Sequence, residues 1–149
     1  MKLKWSNKML KEKIMQISKV LKKYGQDILF AASNKEIESF KKWIVKRYGE
    51  IDISEYINMV ELANGIDFNG LVIYSLKNES EESIYEVNDI WHENIHLKNY
   101  LFYADSDTSW YCYDVNNKRF CELDKPSGEV IQTYSTFDDM INVAIESII

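Results

Sequence analysis

The chain has 149 residues, of which 46% are hydrophobic and 28% charged, with a net charge of −6. That length is enough for one domain with its own core, and the balance excludes a disordered, collagen-like or disulfide-stapled chain. The N-terminus lacks the apolar run of about 7 to 15 residues that marks a signal peptide, and no stretch reaches about 18 apolar residues, so a cytoplasmic location without stable membrane insertion is expected. The charge is split: residues 1–47 hold 13 Lys/Arg against 4 Asp/Glu, a balance of +9, while residues 48–149 hold 5 against 20, a balance of −15. An acidic body favours a basic partner.

Leu10, Ile14, Ile17, Leu21 and Tyr24 recur at helical spacing, so residues 1–30 are read as a basic amphipathic helix leading the domain. Ser33 with Glu36 is the sequence of a capping box, which predicts a second helix to about residue 47 with Ile37, Phe40, Trp43 and Ile44 inward and Gly49 past its end. A third helix is predicted over 54–63, burying Tyr56, Ile57, Val60 and Leu62, with Asn64 and Gly65 stopping it. Strand character follows at 71–76, then an exposed acidic loop at 77–82, then a helix over 84–95 with Val87, Ile90 and Trp91 inward. Further strands are predicted at 100–105, 109–115, 118–123 and 129–134, with "KPSG" at 125–128 as a type I turn. Ser135 or Thr136 opens a last helix whose stripe is Phe137, Met140, Ile141, Ala144, Ile145 and Ile148. The fold class is therefore α+β: N-terminal helices, an antiparallel meander of four to five strands, and a C-terminal helix packed on the sheet, in a single domain over 1–149.

Between residues 100 and 120 the aromatics alternate across a strand. Tyr100, Phe102 and Ala104 share one face and Leu101, Tyr103 and Asp105 the other, which suits a strand buried on both sides. A two-residue turn at Asn116 and Asn117 sets Tyr113 opposite Phe120, Cys112 opposite Cys121, and Asp114 opposite Arg119, the last as a cross-strand ion pair. The two cysteines have no metal-ligand spacing and are expected as free thiols on one face. Base stacking would need basic residues among these aromatics, and the neighbours are acidic, so nucleic acid is not an expected partner.

"HENIH", residues 92–96, matches H-E-x-x-H, in which a helix would hold zinc between His92 and His96 with Glu93 as general base. A third ligand would have to be a carboxylate, because these are the only two histidines, and Lys98 stands where such helices are usually apolar. A surface pair of histidines is the preferred reading, and no metal or cofactor is expected. Asp105 and Asp107 lie in "DSDTS", a composition that forms side-chain-capped bends, which is favoured over a pair of hydrolytic carboxylates.

Two stretches carry a family likeness. "ISEYINMVELANGIDFNGLVIYSL" resembles the helix-to-strand segment of the SUKH superfamily, where an acidic-Tyr helix runs into Asn-Gly before the first strand. "YLFYADSDTSWYCYDVNNKRFCELDKPSGEVIQTYSTFDDMI" is similar to that superfamily's meander and closing helix, in its YrhA-type branch. The likeness spans residues 33–148 and departs from the usual pattern at Ile51, Asp52 and Ile53, where Leu-Pro is frequent, and at Asp105 to Asp107, where glycines are common. It implies a non-catalytic protein-binding module, an immunity protein neutralising a cognate bacterial toxin, with nucleases frequent among such toxins. It supplies no catalytic residue. The expected contact residues are exposed acids and their neighbours near the bend and the acidic loop: Glu79, Glu81, Glu82, Asp105, Asp107 and Ser109. The alternatives are a zinc hydrolase using His92, Glu93 and His96, and a regulatory protein docking through its basic first helix.

Overall fold

The computed structural model describes residues 2–26 and 30–149, with side chains from Met9 onward. Helix α1, Lys2–Lys23, buries Leu10, Ile14, Ile17 and Leu21, as the spacing predicts. Burying each such side chain contributes about 1.5–3 kcal/mol, so α1 is held by packing on the body. Tyr24 lies past the last helical residue and is 71% exposed, so it leaves the predicted stripe. The predicted helix to residue 30 runs into 27–29, which lie outside the described residues. Helix α2, Asn34–Tyr48, carries the predicted capping box, Ser33 and Glu36 each accepting the other's backbone N–H. Gly49 ends it at φ 77°, a left-handed conformation that glycine adopts without strain. Helix α3 is Ser54–Val60, shorter than the predicted 54–63, and buries Tyr56, Met59 and Val60.

The shorter helix leaves room for a strand that the sequence reading omits. Strands β1, Ile66–Phe68, and β2, Leu71–Ile73, form a hairpin on Asn69 and Gly70, both at positive φ (49° and 86°). Helix α4, Ile84–Trp91, starts on the Ser83 hydroxyl and ends well before the predicted residue 95. A 3₁₀ turn, Ile95–Leu97, leads into β3, Tyr100–Asp105. Strands β4, Ser109–Asp114, β5, Arg119–Asp124, and β6, Val130–Tyr134, follow, and α5, Phe137–Glu146, opens on the Thr136 side chain. The sheet has six strands, all antiparallel, in the order β1-β2-β3-β4-β5-β6, one more than the upper expectation.

The β4–β5 register is the predicted one: Tyr113 faces Phe120, Cys112 faces Cys121 and Asp114 faces Arg119. Both thiols are free and fully buried, and burial pushes the Cys121 thiol up to about 12. The expected Asp114–Arg119 ion pair is not what holds the turn. Asp114 is buried and accepts from the backbone N–H groups of Asn116 and Asn117 and from the side-chain amides of Asn117 and Asn99. Four donors close at hand outcompete one cation across the strand, and they widen the two-residue turn to residues 115–118. The next turn also differs from the predicted type I geometry over 125–128. Gly128 N–H donates to the Asp124 carbonyl, a five-residue turn, and the Lys125–Pro126 bond is cis.

The core lies between sheet and helices. Tyr103 packs on Tyr56 and Phe137, joining α3 and α5 to the sheet, while its neighbour Phe102 packs on Trp91 and Trp110. β3 is thus buried on both faces, as read from its alternation. Its edge needs separate closure, because β2 pairs with it only at Asp105 and Ala104. Beyond that point Asn88 of α4 takes over. Its side-chain amide donates to the Phe102 carbonyl at 3.0 Å and its side-chain oxygen accepts from Phe102 N–H at 2.8 Å. One helical turn later His92 Nε2 donates to the Tyr100 carbonyl at 2.6 Å. The inward face of α4 is therefore Ile84, Val87, Asn88 and Trp91, and Ile90, expected inward, is 58% exposed. Asn88→Leu strands both Phe102 backbone groups without partners. At about 1–3 kcal/mol per orphaned group, urea unfolding should show a loss of roughly 2–6 kcal/mol with an unchanged m-value.

Candidate functional site

The acidic candidates gather at one side of the sheet because of strand register. Asp67 on β1 faces Val72 on β2, and Val72 faces Asp105 on β3, so both aspartates stand in one cross-strand row. The loop after β2 returns to this row: Ser75 N–H donates to the Glu82 carbonyl and Ile84 N–H to the Ser75 carbonyl. This clamp places the Glu82 carboxyl against that of Asp67. Burial, then the hydrogen bond and charge of Asp67, then the charges of Asp105 and Glu81, raise Glu82 to about 7. Burial and the neighbouring acids thus favour the protonated form of the Glu82 carboxyl.

Asp105 is half-buried and engaged on both sides. Its carboxylate accepts from the Tyr74 hydroxyl and lies 3.7 Å from Lys125 Nζ, which also donates to the Ser106 carbonyl. The Ser106 hydroxyl accepts from Thr108 and Ser109 N–H, giving the side-chain-capped bend read from "DSDTS". Asp107 at its tip is exposed and lies beside Gly70 of the β1–β2 turn. Glu79 and Glu81 are also exposed, Glu79 in a left-handed conformation at φ 58°. Ser109 departs from expectation: it is buried, donating from its hydroxyl to Glu122 at 2.6 Å, and so cannot touch a partner. Strand alternation turns it inward, where its hydroxyl needs a partner. Glu82 and Asp105 are thus brought together, Glu79, Glu81 and Asp107 rim them, and Ser109 drops out. The sequence reading missed Asp67, Tyr74 and Lys125. Asn69-Gly70, a strong hairpin signal, would have placed Asp67.

A cleft of about 590 Å³ adjoins the carboxyl pair, lined by Phe30, Asn64, Asp67, Ser75, Lys77 and Glu82 among others. A carboxyl with its pKa raised in this way can exchange a proton near neutral pH. Among the described residues no group of three or more His, Cys, Asp or Glu is placed to hold a metal ion.

The "HENIH" segment is not one helix. His92 is the C-terminal cap of α4, and Asn94 begins the 3₁₀ turn by accepting from His96 N–H, so the two imidazoles do not stand one helical turn apart. Both ring nitrogens of His92 are occupied: Nε2–H donates to Tyr100, and Nδ1 accepts from Arg47 at 2.8 Å. Burial, opposed by that backbone bond and aided by Arg47, holds the imidazole below its ordinary pKa. Arg47 completes the network with Asp89 at 2.7 Å. The spacing read as a zinc motif here serves to attach α4 to β3 and α2.

No protein-family model matches the chain, and no curated protein matches it.

Glu82 supplies a pH test. Its folded pKa of about 7 stands above an unfolded value of about 4.3, so its stabilising contribution is present below the unfolded value and lost as pH rises towards 7. Asp67→Asn removes the facing charge. Carboxyl ¹³C titration should show Glu82 shifted downward yet still above an ordinary glutamate, because burial remains. Melting temperature should then fall less between pH 4.5 and 7, values set by about those two limits, than in the parent protein.

Proposed function

We propose that this chain is a non-catalytic protein-binding module of the SUKH kind, an immunity protein acting in the cytoplasm against a basic toxin domain, with a nuclease as the favoured target. The observation that carries this reading is the acidic edge: Glu79, Glu81 and Asp107 exposed around the Asp67–Glu82–Asp105 row. A nuclease must be cationic to grip phosphates, and an acidic edge raises its encounter rate and disfavours acidic competitors. The order of elements, helices before an antiparallel meander and a helix closing it, agrees with what the family likeness implies. The zinc alternative loses support from the broken helix and from the occupied nitrogens of His92.

The test is co-expression with each toxin domain encoded beside the gene, read as growth rescue, followed by association kinetics at two ionic strengths. Rescue is expected with one such domain, and association should slow with salt because the attraction is screened over about 10 Å at 0.1 M. Replacing Glu79, Glu81 and Asp107 together by lysine should lower the association rate at least ten-fold, an order taken from roughly 10–10³-fold steering, with the melting temperature kept. These positions are exposed, so reversal does not bury a charge. Rescue by none of the neighbouring toxins overturns immunity. Rescue with an unaltered rate moves the contact face elsewhere.

A further inference from the structure

The fold separates the lysines of α1 by use. Lys13 is turned to the body, where its ammonium donates to Asn142 Oδ1 and to Glu146, each at 2.9 Å. Lys11, Lys19, Lys22 and Lys23 are exposed and have no carboxylate within ion-pair distance among the described residues. Lys11, Met15, Lys19 and Lys22 follow one another at steps of four, four and three, so they form one stripe about 16 Å long opposite the buried Leu10, Ile14, Ile17 and Leu21. Glu12 is the one exposed acid among the side chains described on α1. Met15 is 53% exposed within the stripe.

We propose that this lysine stripe is a docking surface for anionic lipid headgroups, with α1 lying on a membrane rather than crossing it. The inference goes beyond immunity and does not depend on it. Charge complementarity selects an anionic partner, and the exposed apolar side chain within the stripe selects lipid over nucleic acid. Met15 can enter the boundary between headgroups and acyl chains, whereas the stripe has no arginine to fork a phosphodiester. No helix among the described residues is long and apolar enough to cross a membrane, and the apolar face of α1 is already used on the body, so attachment is electrostatic and reversible. Exposed charges farther apart than a screening length of about 8–10 Å act nearly independently, so a net charge of −6 does not cancel the stripe.

The experiment is co-sedimentation of the full chain with vesicles of pure phosphatidylcholine or of equimolar phosphatidylcholine and phosphatidylserine, at ionic strengths of about 0.1 M and 1 M, where screening lengths are about 10 Å and 3 Å. Binding is expected on the phosphatidylserine vesicles at low salt, and loss of it at high salt and on the neutral vesicles. Each lysine near an anionic surface is worth roughly five-fold in partitioning, so the quadruple variant Lys11→Gln, Lys19→Gln, Lys22→Gln, Lys23→Gln should lose at least about 100-fold. The corresponding arginine variant should retain binding, and circular dichroism should match the parent for both. Failure to bind at low salt, equal binding to neutral vesicles, or retention by the glutamine variant overturns the proposal. Lysine-dependent binding to a DNA or RNA duplex, or lysine-dependent self-association in sedimentation, without vesicle binding reassigns the stripe and also overturns it.

Discussion

The open edge of β3 is the constraint on which the helical layer depends. Five of the six residues of β3 pair with β4, the register shifting between Phe102 and Ala104, but β2 reaches only its last two. The remaining backbone groups sit among Phe102, Trp91 and Trp110, where water cannot serve them, and a buried unpaired amide costs more than the bond it lacks. Asn88 solves this because its carboxamide offers a donor and an acceptor spaced like those of a peptide group. His92, one turn on, closes the next carbonyl. With α4 held there, Tyr85 meets Trp43 and Phe40 of α2, and Asp89 and His92 meet Arg47. The position of α2 therefore follows from two side chains that complete a strand.

Tyr74 performs the equivalent joining at the other end of the sheet. Its carbonyl accepts from the buried Tyr56 hydroxyl of α3 at 2.7 Å, and its own hydroxyl donates to Asp105. One residue ties helix, β2 and β3 together, and it holds Asp105 in the row with Asp67. The charge of the body is accordingly less than its composition suggests at neutral pH. Glu82 is raised by burial and by the neighbouring Asp67, and Asp138 by burial and by the facing Glu55 between α3 and α5. Protonation lets acids crowd where full ionisation would drive them apart.

Legibility followed the physics at each position. Helical stripes such as Ile37, Phe40, Ile44 and Phe137 to Ile145 were readable because burial alone produces them. The β4–β5 register was readable because one turn and strict alternation specify it. Its turn length was not, since the Asp114 carboxylate decides that by collecting nearby amides. α4 was misjudged for a related reason. Asn88 occupies an inward position, but a polar residue reads as outward, which shifts the apparent stripe onto Ile90. The acidic candidates were visible as composition, while their juxtaposition needed the β1–β2 hairpin. Ser109 was misplaced because a serine in a bend reads as exposed until the strand's alternation turns it inward.

Much of the polar interior is likewise committed to closing backbone. Asn88 and His92 are spent on β3, Asp114 on its turn, Ser83 on the start of α4, and Asn64 on Glu36 and the Leu76 N–H. The buried side-chain atoms left without partners among the described residues are a Glu55 carboxylate oxygen, the Tyr85 hydroxyl, raised to about 12 chiefly by burial, and the Trp110 indole N–H, which is a donor only. Asn88, His92 and Asp114 thus serve backbone groups, and the exposed charge lies in two places: acids around the Asp67–Asp105 row and lysines along α1. Surface charge of opposite sign is thus kept apart, with the acids of the body along the sheet row and the lysines on a helix whose apolar face is spent on the core.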